Sequence, residues 1–142
     1  VKNRIQFKML IKMTFLMETG CQHVINDGKN KLGLMALDKE EFIKLINEFI
    51  VHRPSVREPV ENVSLVDIRN DSQEDLIEAC ISNMAFQTAI TWAFYISVYD
   101  EAPDIDQKAV AKKYLNFWRN EYSSDKRLME AANHYQNTFI NK

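Results

Sequence analysis

Ala79-Cys-Ile-Ser-Asn83-Met-Ala-Phe-Gln87-Thr-Ala-Ile-Thr91-Trp-Ala-Phe-Tyr95-Ile-Ser-Val-Tyr99 contains no charged side chain. A helix on a protein surface carries one polar and one apolar face, so a segment without a single charge is buried on most sides. The stretch is long enough to reach across a bilayer at about 1.5 Å per residue. Asn83, Gln87, Thr88 and Thr91 would be costly in lipid without partners, which favours a protein core instead. Ser72 is well placed to cap the segment, with Glu74, Asp75 and Glu78 in its early turns, where the helix dipole favours carboxylates. The pattern predicts one long helix, Gln73–Tyr99, as the axis of the fold.

Downstream of this axis, Pro103 breaks the chain and Asp104 can cap a helix over Ile105–Tyr122. Its Val110, Tyr114, Leu115, Phe117, Trp118 and Tyr122 are expected to face inward. Ser124 caps a last helix, Asp125–Ile140, with Leu128, Ala132, Tyr135 and Phe139 as its stripe. Upstream, Asp38 is a candidate N-cap for a helix carrying Phe42, Leu45, Ile46, Phe49 and Ile50, ended by Pro54. The stretch from His52 to Asn70 reads as a flexible connector, about 52–71. It has room for one short strand using Val63, Leu65 and Val66 or Ile68.

The opening segment fits two patterns. Ile5, Phe7, Met9, Ile11, Met13 and Phe15 alternate as in a strand, which would allow a hairpin of Cys21–Ile25 with Leu32–Leu37 turned at Asp27-Gly28. Leu10, Met13, Met17, Cys21 and Val24 instead recur at helical spacing, and richness in Met and Leu favours the helix. With 142 residues, 46% apolar and 27% charged, the chain matches a single globular domain, 1–142. Only three glycines and three prolines argue against a many-turned β-fold. The expectation is a mainly α, single-domain bundle of about five helices around a buried central helix, with a small N-terminal β-hairpin as the variant reading.

The net charge of −2 gives no basic excess, which argues against a nucleic-acid partner. Arg4, Lys8 and Lys12, and Lys112, Lys113 and Arg119, read as solvated helix faces. Lys8 and Lys12 also interrupt the apolar opening, so neither a membrane span nor a signal core is expected. Cys21 and Cys80 read as free buried thiols, in keeping with a cytoplasmic setting. The first residue is Val1, compatible with a processed or partial chain.

Sites of known chemistry are not formed by spacing. His23, His52 and His134 are scattered, and Glu130 with His134 supplies two metal ligands where a site needs more. Asp27 is followed by Lys29 and Lys31 where a calcium loop needs oxygen ligands. Gly28 and Gly33 lead into no Gly-Lys-Ser/Thr. There is no Gly-x-Ser-x-Gly elbow, and a Cys80–His134 pair would join an inert core thiol to a distant base. Asp100, Glu101, Asp104 and Asp106 suit a solvated loop. A helix-turn-helix over Gln107–Leu128 is opposed by Leu115 at the turn. No catalytic residue, metal or cofactor is predicted.

A polar line on the central segment carries the functional reading. Asn83, Gln87 and Thr91 lie four apart, and Tyr95 and Tyr99 continue the track. Buried amides need partners, because an unpaired one costs about 1–3 kcal/mol. These groups are met by neighbouring backbone, by a partner protein with Trp92 as an aromatic anchor, or by a small ligand in a pocket lined by Thr91, Trp92, Tyr95 and Tyr114. The candidate binding set is therefore Asn83, Gln87, Thr91, Trp92, Tyr95, Tyr99 and Tyr114. The function expected is that of a non-enzymatic protein acting through protein–protein contacts, such as an inhibitor, immunity-type or adaptor protein. A ligand-sensing or dimerisation domain of a regulator is the alternative, and the sequence admits a homodimer.

Overall fold

The structure, a computed structural model, describes residues 2–20, 31–98, 107–119 and 124–140. Helix α1 spans Lys2–Thr19, and a short antiparallel hairpin pairs β1 (Lys31–Leu32) with β2 (Leu37–Asp38). Helices α2 (Lys39–Glu48), α3 (Pro54–Ser64), α4 (Gln73–Ser82), α5 (Met84–Val98), α6 (Gln107–Lys113) and α7 (Asp125–Tyr135) follow. Both α6 and α7 run on into wide π-helical turns, Tyr114–Trp118 and Gln136–Ile140. The fold is thus the mainly α single domain expected, with a small hairpin. No described helix is long and apolar enough to cross a membrane.

Among the described residues seven helices stand where about five were expected, for two reasons. The long axis is broken at Asn83, whose backbone leaves the helix at φ −102°, ψ 104°. Its Oδ1 accepts from Phe86 N at 3.1 Å and so caps α5, while its Nδ2 donates to Ser64 O at 3.0 Å. An amide that satisfies two helix ends at once offsets the break in the ladder. The second reason is that the expected connector is helical. Pro54 stands at the first turn of α3, where a missing N–H costs nothing, and Val56 and Val60 are buried on its inner face. No strand forms at Val63–Ile68.

The first segment is a helix, as its Met and Leu content implied. A hairpin is present, but not the expected one: Leu32–Leu37, expected as a single strand, itself turns at Gly33–Ala36, closed by Ala36 N donating to Gly33 O at 3.1 Å. The alternative turn at Asp27-Gly28 and the strand Cys21–Ile25 lie outside the described residues. Asp38 precedes α2 but makes no capping bond; its carboxylate meets Lys31 at 3.1 Å, its cross-strand neighbour. Ser72 and Ser124 do cap, accepting from Asp75 N and Arg127 N.

Among the described residues the apolar side chains gather in two clusters. One joins the hairpin turn, α2, α3, α4 and the first half of α5, around Phe42, Phe86 and Ile90. The other joins α1, α6, α7 and Tyr95, around Leu10, Met13 and Tyr114. Trp92, Ile96 and Trp118 pack against both.

Candidate functional site

The polar track of α5 points inward and is satisfied within the chain. Gln87, 1% exposed, accepts from Leu34 N at 2.9 Å through Oε1 and donates to Ile81 O at 2.8 Å through Nε2. It therefore holds the hairpin turn with one end and the last turn of α4 with the other. Thr91 donates to Gln87 O at 2.8 Å. Thr14 gives its only hydroxyl proton to Leu10 O, so Tyr95 is the donor in the 2.6 Å bond between Tyr95 Oη and Thr14 Oγ1. Tyr114 is buried and accepts from Arg119 Nε at 2.8 Å. Trp92 is half-buried where the two clusters meet, and Tyr99 lies outside the described residues. Apart from Tyr99, the expected binding set is thus brought onto α5, its cap and its immediate surroundings. Asn83 and Gln87 are committed to backbone groups and are not presented to a partner.

Other groupings of reactive side chains are not assembled among the described residues. Cys80 is fully buried in the first cluster and desolvation pushes its thiol strongly up, whereas His134 is exposed on α7. Among the described residues, no group of three His, Cys, Asp or Glu is close enough to hold a metal. His23 and the acidic residues Asp100–Asp106 lie outside the described residues.

Two surface features were not foreseen. At the C-terminal end of α3, Leu65 sits in the left-handed region at φ 61° with its side chain 92% exposed. Everything around it is fastened. Ile68 N donates to Glu61 Oε2 at 2.9 Å, Leu65 N to Glu61 O at 2.9 Å, and Ser64 O receives Asn83 Nδ2. Val66 and Ile68 are buried on either side of Asp67. The loop thus presents Leu65 on a rigid frame, with Val63 (61% exposed) two residues before it and Met84 (55% exposed) beside Asn83. No periodicity distinguishes Leu65 from its buried neighbours, so sequence alone does not find it.

The second feature is a cleft of about 570 Å³ between the hairpin, the end of α1, α5 and the π-turn after α6. It is lined by Glu18, Lys31, Asp38, Glu41, Phe94, Trp118 and Arg119, among others. Arg119 Nη2 lies 2.6 Å from Glu18 Oε2, and the π-turn, with Arg119 N bonded to Tyr114 O, sets Tyr114 and Arg119 side by side. Burial raises the Glu18 carboxyl above its ordinary value of 4.5, outweighing the Arg119 charge and the hydrogen bonds of Trp118, Arg119 and Tyr114. Burial likewise pushes Tyr114 up to about 12, with Glu18 adding to it.

A pH dependence follows from Glu18. The folded chain holds this proton more tightly than the unfolded chain, so the contribution is favourable below 4.5 and is lost as pH rises through the folded value. Glu18→Gln removes that loss. The variant is expected to gain on the parent in urea midpoint as pH is raised from about 4 to 7. A parallel pair of curves would show that the carboxyl is not destabilised in the fold.

Comparison with protein-family models, with curated proteins and with solved structures finds no match to this chain.

Proposed function

We propose that the protein is non-enzymatic and acts by binding another protein through Leu65, Val63 and Met84. The observation that carries this reading is Leu65. A left-handed backbone costs a leucine about 1–2 kcal/mol, and glycine is the usual occupant at a helix end of this kind. Here the cost returns no burial, since the side chain stands in solvent. Strain held by a rigid frame without a folding gain is characteristic of functional positions.

The chemistry of the partner follows from charge. Between Pro54 and Ser82 seven acidic residues accompany two basic ones, a net −5, which leaves the rest of the chain at +3. Glu58, Asp71, Glu74, Asp75 and Glu78 are exposed. An apolar knob on an acidic face fits a partner with an apolar pocket framed by Lys and Arg. Pairing of this face with its own copy would set like charges together, so the reading is of a hetero-complex, as for an adaptor or inhibitor. The free buried thiol of Cys80 is in keeping with a cytoplasmic setting.

The test separates folding from binding. Leu65→Gly relieves the backbone strain, and the added freedom of the unfolded chain offsets part of that gain. Stability is expected to stay level or rise by up to about 1 kcal/mol. Binding to the partner, recovered from the source cells, identified and repurified as a binary complex, is expected to weaken by roughly 10- to 30-fold. Affinity of the parent should also fall with salt, as basic groups meet an acidic face. A complex whose affinity is the same for Leu65→Gly and the parent would overturn the proposal.

A further inference from the structure

The cleft beside the hairpin has no part in that reading and carries its own chemistry. The charges are unequal. Lys31 is paired with Asp38 at 3.1 Å and Arg119 with Glu18 at 2.6 Å, which among the described lining residues leaves Glu41, exposed in the first turn of α2, as the carboxylate in excess. The aromatic wall is pre-set. Phe94 and Trp118 lie 4.7 Å apart at 63°, and Trp118 rests on Tyr95 at 5.5 Å, so the indole is buttressed from two sides. Tyr95 is anchored in turn by its bond to Thr14 on α1. A volume of about 570 Å³ is that of a small-molecule pocket.

Ring faces attract cations, and a nearby unbalanced carboxylate strengthens that attraction. Among the described lining residues the Glu18 and Asp38 carboxylates are already ion-paired, so a primary ammonium finds few uncommitted acceptors and loses more hydration than it recovers. An alkylated ammonium is weakly hydrated and loses little. We infer that the cleft between the hairpin and the π-turn binds a small alkylated ammonium compound, held against Phe94 and Trp118 and balanced by Glu41. The described lining carries one carboxylate more than it carries cations, which disfavours a phosphate-bearing headgroup of the same cation, so the ligand is a free cation rather than a lipid.

The test uses the whole chain, with the indole N–H signals of Trp118 and Trp92 followed by NMR during titration. Choline is expected to saturate the Trp118 shift in the millimolar range. Its uncharged isostere, 3,3-dimethylbutanol, should bind about 10-fold more weakly, because it lacks only the charge. Glu41→Gln, a surface change that spares the core, should weaken choline by about 3- to 10-fold. In Trp118→Leu the remaining indole signal, that of Trp92, should show no saturable shift with choline. Because Trp118 also packs in the fold, the Glu41 variant decides if that protein proves unstable. Phosphocholine should bind more weakly than choline. Equal binding of choline and its isostere, no saturable shift, or an unchanged affinity in Glu41→Gln would each overturn the cation site. Tighter binding of phosphocholine would overturn the choice of a free cation. None of these results touches Leu65, so the two proposals stand or fall separately.

Discussion

Gln87→Leu is expected to destabilise the protein by roughly 3–5 kcal/mol, read as a fall in the urea midpoint at unchanged slope. Leucine is close to glutamine in volume, so the loss measures polarity rather than a cavity. The substitution leaves the buried Leu34 N–H and the partly buried Ile81 C=O without their partner, at about 1–3 kcal/mol each. The effect spreads further, because these two groups belong to the hairpin turn and to the end of α4. Gln87→Glu gives the sharper check. A protonated carboxyl both accepts and donates, so it can replace the amide; the ionised form cannot donate to Ile81 O. Burial raises that carboxyl above its ordinary range of about 4.3, and stability is present at low pH and lost as pH rises through the folded value. A Gln87→Glu variant as stable at pH 7 as at pH 4 would show that the amide bridge is dispensable.

Gly33→Ala is the second large effect, at about 2–4 kcal/mol. The backbone at Gly33 has φ +70°, and an added Cβ would stand 2.7 Å from Cys80 O and 2.9 Å from Gln87 Cδ and Oε1. Backbone oxygen at the end of α4 cannot step aside as a flexible side chain would. Gly20 supplies the control: its φ is +66°, but among the described residues nothing lies within 4 Å of where its methyl would stand. Gly20→Ala should therefore cost only the backbone contribution, about 1 kcal/mol. The difference in melting temperature between the two variants isolates the steric contact, at roughly 2–4 °C per kcal/mol for a chain this size. Equal melting temperatures would mean that the turn can move off α4.

These two positions also explain what the sequence could and could not say. The charge-free stretch does mark the centre of the fold over its described part, Ala79–Val98, and Ser72, Ser124 and the stripe Phe42, Leu45, Ile46 mark real helices. What defeats pattern reading at Asn83 is that an amide inside an apolar run looks the same whether it caps a break or lines a pocket. Its partner, Ser64 O, is 19 residues away in sequence and is named by no spacing rule. Pro54 and Pro59 suggest a connector because proline interrupts helices, yet Pro54 opens α3. Only the burial of Val56 and Val60 against α5 decides between the two. The candidate site was the less legible part. Of the three ways in which the polar track could be satisfied, the chain's own groups serve: backbone for Asn83, Gln87 and Thr91, and the Thr14 hydroxyl for Tyr95. Leu65 is one apolar residue among several in Val63–Ile68, and its exposure depends on Glu61 and Asn83 fixing the loop. The pairing of Tyr114 with Arg119 depends on a π-turn, whose five-residue spacing has no signature in composition.

The arrangement of the second core has a consequence for the order in which the chain is made. The inner face of α1, with Phe7, Leu10, Met13 and Leu16, is covered by α6 and α7. Those helices are translated after it, more than a hundred residues after Leu10 in the case of α7. At about 5–20 residues per second, the ribosome delivers them roughly 10 s after α1 has emerged. Helix α1 therefore waits for its partners while the whole first cluster is being made. During that interval its greasy side is open to the cell, a standing invitation to chaperones.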